Sequence, residues 1–237
     1  MLNFTPIKLM AAIFTPEFAF GDNLFLINLF NDLSEGKFNG EFISVPIPQN
    51  APAELPRIIL NSKDGFWKLE VSLMRTNLIF LKPDLDPVID NDAIEFNKLA
   101  KNVFYNYKKK TKIRIQRLAY VTERVTKISR KSPAQYIADK FCKDNYLKAP
   151  FNRTQSFELH SLKKYKFERF DLNSWVRLKS TNLLDKDRTP VFLVVNDINT
   201  FALQEAPDNT FTLKDIQRFY NKIPDHLDSI LNLYLKE

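Results

Sequence analysis

The sequence predicts an α+β fold in which helices cover one face of an antiparallel sheet. Hydrophobic residues make up 44% and aromatic residues 13% of the 237 residues, enough to build a packed core. Strand-like segments stand in runs between helices, which favours antiparallel pairing over a parallel doubly wound sheet. The order strand, helix, three strands, helix occurs twice, at an offset of about 110 residues. We therefore predict two similar β-α-β-β-β-α halves, residues 1–110 and 111–237, which could share one continuous sheet.

The first half begins with the strand-like segment PIKLMAAIFTP, after which Asp22 caps the apolar helix NLFLINLFNDLSEG, ending at Gly36. EFISVPIP and LPRIILNSK predict short strands whose prolines indicate edge or irregular positions. WKLEVSLMRTNLIFLKP predicts a long strand or a hairpin, with a bend at Asn77. Asp92 then opens an amphipathic helix that runs into a group of lysines.

In the second half, the period changes at Lys112 from helical to alternating, which predicts a strand. One side, which we expect to be covered, consists of Ile113, Ile115, Ala119, Val121 and Val125. The other side, which we expect to face solvent, consists of Lys112, Arg114, Gln116, Tyr120, Thr122 and Arg124. Arg117 and Glu123 interrupt the apolar side, so we expect a bulge or bend there.

The remaining elements of the second half carry clear start signals. Ser132, Pro133 and Gln135 mark the start of the helix in SPAQYIADKFCKD. RTQSFELHSLKKYKFERF, NSWVRLKST and PVFLVVNDI predict three strands, the last apolar enough for the middle of a covered sheet. Thr212 and Asp215 begin a final amphipathic helix.

The basic charge of the chain is concentrated in one segment. Residues 105–131 hold ten bases and one acid, a charge of +9, and the whole chain carries +7, so the remainder carries −2. Such a concentration predicts a surface that binds nucleic acid or an acidic protein partner, although it is also typical of the solvated face of a sheet. The predicted binding residues are Lys108, Lys109, Lys110, Lys112, Arg114, Tyr120, Arg124, Lys127, Arg130 and Lys131.

The sequence offers little for catalysis or for a cofactor, and we predict neither a cofactor nor a metal. Four glycines are too few for a glycine-rich phosphate loop. Cys142, the one cysteine, suits a reducing compartment. His160 and His226 have no neighbouring ligand at metal-binding spacing, and we expect both to be exposed.

A metal-dependent nuclease remains the alternative, because such enzymes need only a few converging acids. The candidates are Asp84, Asp90, Asp92 and Asp197. Glu95 and Lys98 are three apart on a helix, which does not fit a nuclease strand. Asn196, Asp197 and Asn199 are predicted as turn residues at the end of a strand.

The element order, together with GFWKLEVSLMRTNLIFLKP, VFLVVNDIN and LKDIQRFYNKIPDHLDSILNLYL, resembles a sporadically distributed family of uncharacterised bacterial proteins of similar length. The resemblance covers nearly the whole chain, implies no activity or catalytic residue, and does not include the lysines at 108–110. Accessory proteins of this kind act as adaptors, antitoxin-like inhibitors or parts of defence systems.

No run of eighteen apolar residues occurs, so we expect a soluble, cytoplasmic protein without a membrane partner. Our hypothesis is a non-enzymatic binding protein that recognises a polyanion or a partner protein through its basic face. Besides the nuclease, the alternative is an obligate structural subunit of a complex. The oligomeric state does not follow from the sequence.

Overall fold

The computed structural model describes residues 2–15, 23–45, 48, 51–82, 88–129, 131–150, 152–183 and 188–235. These residues form four α-helices and one sheet of nine antiparallel strands, which confirms the α+β class. The strands are β1 (Thr5–Phe14), β2 (Phe42–Ser44), β3 (Ile58–Asn61), β4 (Trp67–Val71), β5 (Arg75–Leu81), β6 (Arg117–Thr126), β7 (Glu158–Phe167), β8 (Phe170–Asn182) and β9 (Pro190–Thr200). The helices are α1 (Asn23–Leu33), α2 (Asp90–Thr111), α3 (Pro133–Phe141) and α4 (Leu213–Leu235).

The strand order is β2-β3-β4-β5-β1-β6-β9-β8-β7, so β1 and β6 pair at the centre of one continuous sheet. From this centre, β5, β4 and β3 on one side correspond to β9, β8 and β7 on the other. The first half carries one additional strand, β2, at the edge of the sheet. Its long apolar segment folds as the hairpin β4–β5. The hairpin turns at Ser72, whose N–H donates to Arg75 O over 2.9 Å, whereas the predicted bend residue Asn77 lies inside β5.

The helices cover one face of the sheet, and adjacent rows of side chains show the difference between the faces. Pairing aligns one row in which every side chain is buried: Leu69, Leu78, Ala11, Tyr120, Ile198 and Ser174. The next row, on the opposite face, is partly exposed throughout: Lys68, Ile79, Met10, Val121, Asp197 and Trp175. We name these the covered face and the open face.

The two halves share one hydrophobic core, which spans both sides of the central strand pair. The ring centroids of Phe104 on α2 and Tyr220 on α4 lie 5.4 Å apart. Tyr220 is buried, and its hydroxyl donates to Ala12 O on β1 over 2.7 Å. Contacts from α2 and α4 therefore hold the seam between the halves together.

Local capping explains why the helices begin where they do. Asp92 accepts a hydrogen bond from the Ile89 N–H at 3.0 Å and so caps α2 from inside its first turn. Ser132 accepts from the Gln135 N–H at 3.1 Å, as the sequence predicts for α3. The predicted cap residue Asp22 lies outside the described residues.

The last helix differs from its prediction at one residue. Pro224 predicts a kink or a break into two helices. The structure instead has Pro224 inside one continuous helix, α4. No helix in the described part of the chain is both long enough and apolar enough to cross a membrane.

Candidate functional site

The predicted basic residues do not form one surface, because β6 separates them into two groups. Lys108–Lys110, Lys112 and Arg114 precede β6, whereas Lys127 and Lys131 follow it. A strand of ten residues at about 3.3 Å per residue holds the two groups about 30 Å apart. Arg130 lies outside the described residues.

The prediction that Tyr120 and Arg124 face solvent is wrong. Tyr120 is 2% exposed, and its hydroxyl donates to Asn97 Oδ1 at 2.6 Å. Arg124 is 7% exposed, forms an ion pair with Asp228, and donates to Thr122 Oγ1 at 3.0 Å. Burial raises the pKa of Tyr120 and lowers that of Arg124, and both groups keep their ordinary protonation at neutral pH.

The two faces of β6 are therefore exchanged relative to the prediction. Ala119, Val121 and Val125 lie on the open face, in one set with Arg117 and Glu123. Glu123 lies opposite a register shift of the β1–β6 pair, whereas Arg117 lies in a regular part of the ladder. Glu123 pairs with Lys8 across the strands at 2.8 Å, and Arg117 stacks over an aromatic ring of β1. The extra residue of this shift lies in β1, between residues 6 and 8.

The group that follows β6 is partly neutralised. Lys127 and Lys131 are both exposed, and Lys131 forms an ion pair with Asp139 on α3. The hydrogen bonds from Lys131 and Gln135 lower the pKa of the Asp139 carboxyl. Asp139 therefore offsets the charge of Lys131 at this end of the strand.

The group that precedes β6 surrounds the C-terminal end of α2. Lys109, Lys110, Lys112 and Arg114 are exposed, so they extend into solvent at the helix end. Lys108 is half-buried, its ammonium donates to Ile113 O at 2.8 Å, and burial lowers its pKa. Lys112 ends the helix in a left-handed conformation with φ 59°.

This end of α2 lies beside the beginning of α4. Lys101 donates to Asn221 Oδ1 at 3.0 Å, and Arg114 donates to Thr210 Oγ1 at 3.0 Å. The later residue of the α2 side, Arg114, thus contacts the earlier residue of the α4 side, Thr210. The two helices are therefore antiparallel. The exposed residues Lys214 and Arg218 of α4 consequently lie at the same end of the helix pair as the last turns of α2.

These residues form what we name the α2–α4 basic surface. Its members are Lys101, Lys108, Lys109, Lys112, Arg114, Lys214 and Arg218. Within the described residues, no carboxylate lies within ion-pair distance of Lys101, Lys109, Lys112, Lys214 or Arg218. Sequence reasoning missed the α4 members, because they are about 100 residues away and only the antiparallel packing of the helices brings them to α2.

The open face of the sheet has a different character, because several of its bases are paired with acids. Lys68 pairs with Glu70 at 2.7 Å, and Arg177 lies 3.9 Å from Asp197. Lys164 pairs with a glutamate of the loop that follows β9. Such cross-strand pairs are typical of a solvated sheet face.

The acids proposed for a nuclease do not converge within the described part of the chain. No group of three His, Cys, Asp or Glu residues there could hold a metal ion. Asp92 pairs with Lys82 at 2.6 Å, and Asp197 lies on the open face. Asp84 lies outside the described residues.

Two further sequence predictions are corrected by the fold. Asn196, Asp197 and Asn199 lie inside β9 rather than in a turn, because the strand continues to Thr200. His226 is half-buried instead of exposed, with its ring stacked on Phe167 at 3.9 Å between centroids. His160 is exposed, as expected.

No family model matches this chain, and no curated protein matches it. The resemblance to a family of bacterial proteins therefore stays a prediction, and function has to be argued from the geometry of the chain itself.

Proposed function

We propose that this protein is a non-enzymatic cytoplasmic binding protein that recognises a polyanion, foremost a nucleic acid, through the α2–α4 basic surface. One observation carries the proposal: Lys101, Lys109, Lys112, Lys214 and Arg218 of this surface have no acidic partner within the described residues, whereas several bases of the open face are paired with acids. Uncompensated exposed cations create a positive potential that attracts phosphates and releases their counterions on binding.

The architecture of the helices strengthens this potential. The N-terminus of α4, which carries a partial positive charge, lies at the same end as Lys214. The acid nearest this start, Asp215, is 1% exposed and is paired with Arg169 at 2.9 Å. It therefore offers little negative charge to a ligand that approaches the surface.

The binding mode expected from these residues is sequence-tolerant. Lysines on a helix surface contact phosphates and sugars, and base identity is read only where side chains reach base edges. The half-buried ring of Tyr105 lies between Lys101 and Lys109 along α2 and could contact a base. We expect similar affinities for different sequences of one nucleic acid type.

The test compares two triple variants that remove the same charge. The first replaces Lys109, Lys214 and Arg218 with alanine; all three are exposed helix positions that alanine tolerates. The control replaces the exposed residues Lys63, Lys143 and Lys148, which lie outside the four helices and the sheet. Lys108 is left unchanged because its ammonium bonds to the backbone.

Fluorescence anisotropy with labelled single-stranded DNA, double-stranded DNA and RNA at several salt concentrations provides the readout. The wild type should bind, and its affinity should fall steeply with salt. For duplex DNA, each lost phosphate contact should reduce the slope of log K against log salt by about 0.9. The first variant should show this reduction and the control should not. Absent binding at low salt, or equal loss in both variants, would refute the proposal.

A second candidate function, a structural subunit, is favoured by an exposed apolar patch at one edge of the sheet. Phe25 is 54% exposed, and Phe42 on the edge strand β2 is 59% exposed on the covered face, where the helices lie; Ile43, the next residue of β2, is 45% exposed on the open face. Asn23 Nδ2 donates to Ser44 Oγ at 3.1 Å, which joins α1 to β2. Exposed apolar patches on edge strands mark association surfaces.

Light scattering after size exclusion tests this candidate. If copies of the chain pack together through the patch, the wild type should have the mass of an oligomer and the double variant Phe25→Ser, Phe42→Ser that of a monomer. A monomeric wild type at all concentrations would rule out such self-association.

A further inference from the structure

A groove with a volume of about 610 Å³ lies at the other end of the α2–α4 pair. Its walls come from the N-terminal part of α2 and the C-terminal part of α4, and its floor comes from β1 and β6. The groove is thus formed at the seam between the two halves, and its volume is that of a small-molecule site.

The floor of the groove is polar and is centred on Arg124. The guanidinium donates to Thr122 and to Asp228, which uses two of its five N–H donors. Tyr120 and Asn97, which are hydrogen-bonded to each other, lie on the same floor. Arg124 is 7% exposed, and Asp228, with a side chain that is 66% exposed, is its one ion-pair partner in the described chain.

The walls are apolar, and the rim is acidic. Ile94 of α2 and Leu231 of α4 line the walls, Leu9 of β1 adds an apolar side chain to the floor, and Ile94 is 65% exposed. Asp90 and Asp225 stand exposed at the rim, where water screens their charge. The groove therefore combines a buried guanidinium on its floor with apolar walls. Its acidic rim disfavours a ligand that carries a second negative charge.

We propose that this groove binds a small monocarboxylate with an apolar body, whose carboxylate takes the place of Asp228 on Arg124. The planar guanidinium can hold a carboxylate through two parallel hydrogen bonds. Asp228 is easily replaced, because an exposed acid gains little from its ion pair while water competes for it. The apolar body then covers Ile94 and Leu231 and removes their surfaces from water.

This inference is independent of the proposed polyanion binding. The groove and the α2–α4 basic surface lie at opposite ends of the antiparallel helix pair and share no residue. Either site can be removed while the other is kept.

Isothermal titration calorimetry with decanoate tests the proposal, and decylamine serves as the probe of opposite charge. Wild type should bind decanoate more tightly than decylamine. Arg124→Gln should weaken decanoate binding by about tenfold or more, because hydrogen bonds to charged groups are lost. Asp228→Asn should tighten it by about two- to fivefold, because the competing carboxylate is removed.

Wall variants provide a second test, which stands if Arg124→Gln fails to fold. Ile94→Glu places a negative charge in the groove and should weaken decanoate binding by about tenfold. Leu233→Glu makes the same change at a residue of α4 that is 78% exposed and does not line the groove, so it should leave binding unchanged. Absent decanoate binding to wild type, tighter binding of decylamine, or weaker binding of decanoate to Asp228→Asn would overturn the proposal.

Discussion

Phe104 lies at the seam between the two halves, and replacing it with alanine should destabilise both halves together. Its side chain is fully buried and packs against Tyr220 of the other half. Truncating a buried Phe to Ala costs about 3–5 kcal/mol in the free energy of unfolding. For a chain of this size, each lost kcal/mol lowers the melting temperature by about 2–4 °C, so the expected decrease is about 6–20 °C.

The two tryptophans allow the unfolding of each half to be followed separately. Trp67 lies on β4 in the first half, and Trp175 lies on β8 in the second. Trp175→Phe leaves a fluorophore only in the first half, and Trp67→Phe leaves one only in the second. Thermal unfolding of Phe104→Ala, measured by fluorescence in each background, should shift both transitions downward by the same amount.

The control for this experiment is Leu233→Ala, which removes a side chain that is 78% exposed. It should change the free energy of unfolding by less than about 0.5 kcal/mol. A downward shift reported by Trp67 alone, with Trp175 unchanged, would refute the reasoning. It would mean that the halves unfold independently and that the shared core does not couple them.

Three further predictions test individual contacts. Gly40→Ala should lower stability by about 1–3 kcal/mol in urea denaturation, because the added Cβ would lie 2.8 Å from the backbone carbon and oxygen of Ser62; an unchanged midpoint would contradict this close approach. Asn196→Leu should be neutral or stabilising by up to about 1 kcal/mol, because neither amide atom of this buried side chain has a partner within the described residues; a loss above about 2 kcal/mol would disagree. Burial lowers the pKa of His226 below 6.5, so below that pH the folded protein binds fewer protons than the unfolded chain. Wild-type stability should therefore fall between about pH 7 and pH 5, and His226→Gln should reduce this fall, whereas equal pH profiles would contradict the assignment.

Much of the secondary structure follows from local chemistry and was therefore predictable. Ser132 caps α3, Asp215 and Thr212 cap α4, and the lysines end α2, because capping bonds and helix periodicity depend only on neighbouring residues. The hairpin turn at Ser72 was placed wrongly, because both it and Asn77 interrupt one long apolar run. Local sequence could not decide between them; the pairing of β4 with β5 did.

The candidate site was predicted only in part, because the faces of β6 cannot be distinguished by polarity alone. Arg124 can lie on the covered face because Asp228 neutralises its charge. Tyr120 can lie there because Asn97 accepts a hydrogen bond from its hydroxyl. These partners lie on α4 and α2, which are distant in sequence. Glu123 is half-exposed on the other side because Lys8 pairs with it there.

The sequence by itself determined the α+β class, the element order, most helix starts and the local excess of positive charge. These properties depend on composition, periodicity and capping, which act over a few residues. Only the tertiary structure decided which bases meet. Antiparallel packing of α2 and α4 places Lys214 and Arg218 at the end of the helix pair that also carries Lys108 and Lys109, whereas β6 holds Lys131 about 30 Å away. Charge patterns along a chain become surfaces only when packing fixes which side chains are neighbours.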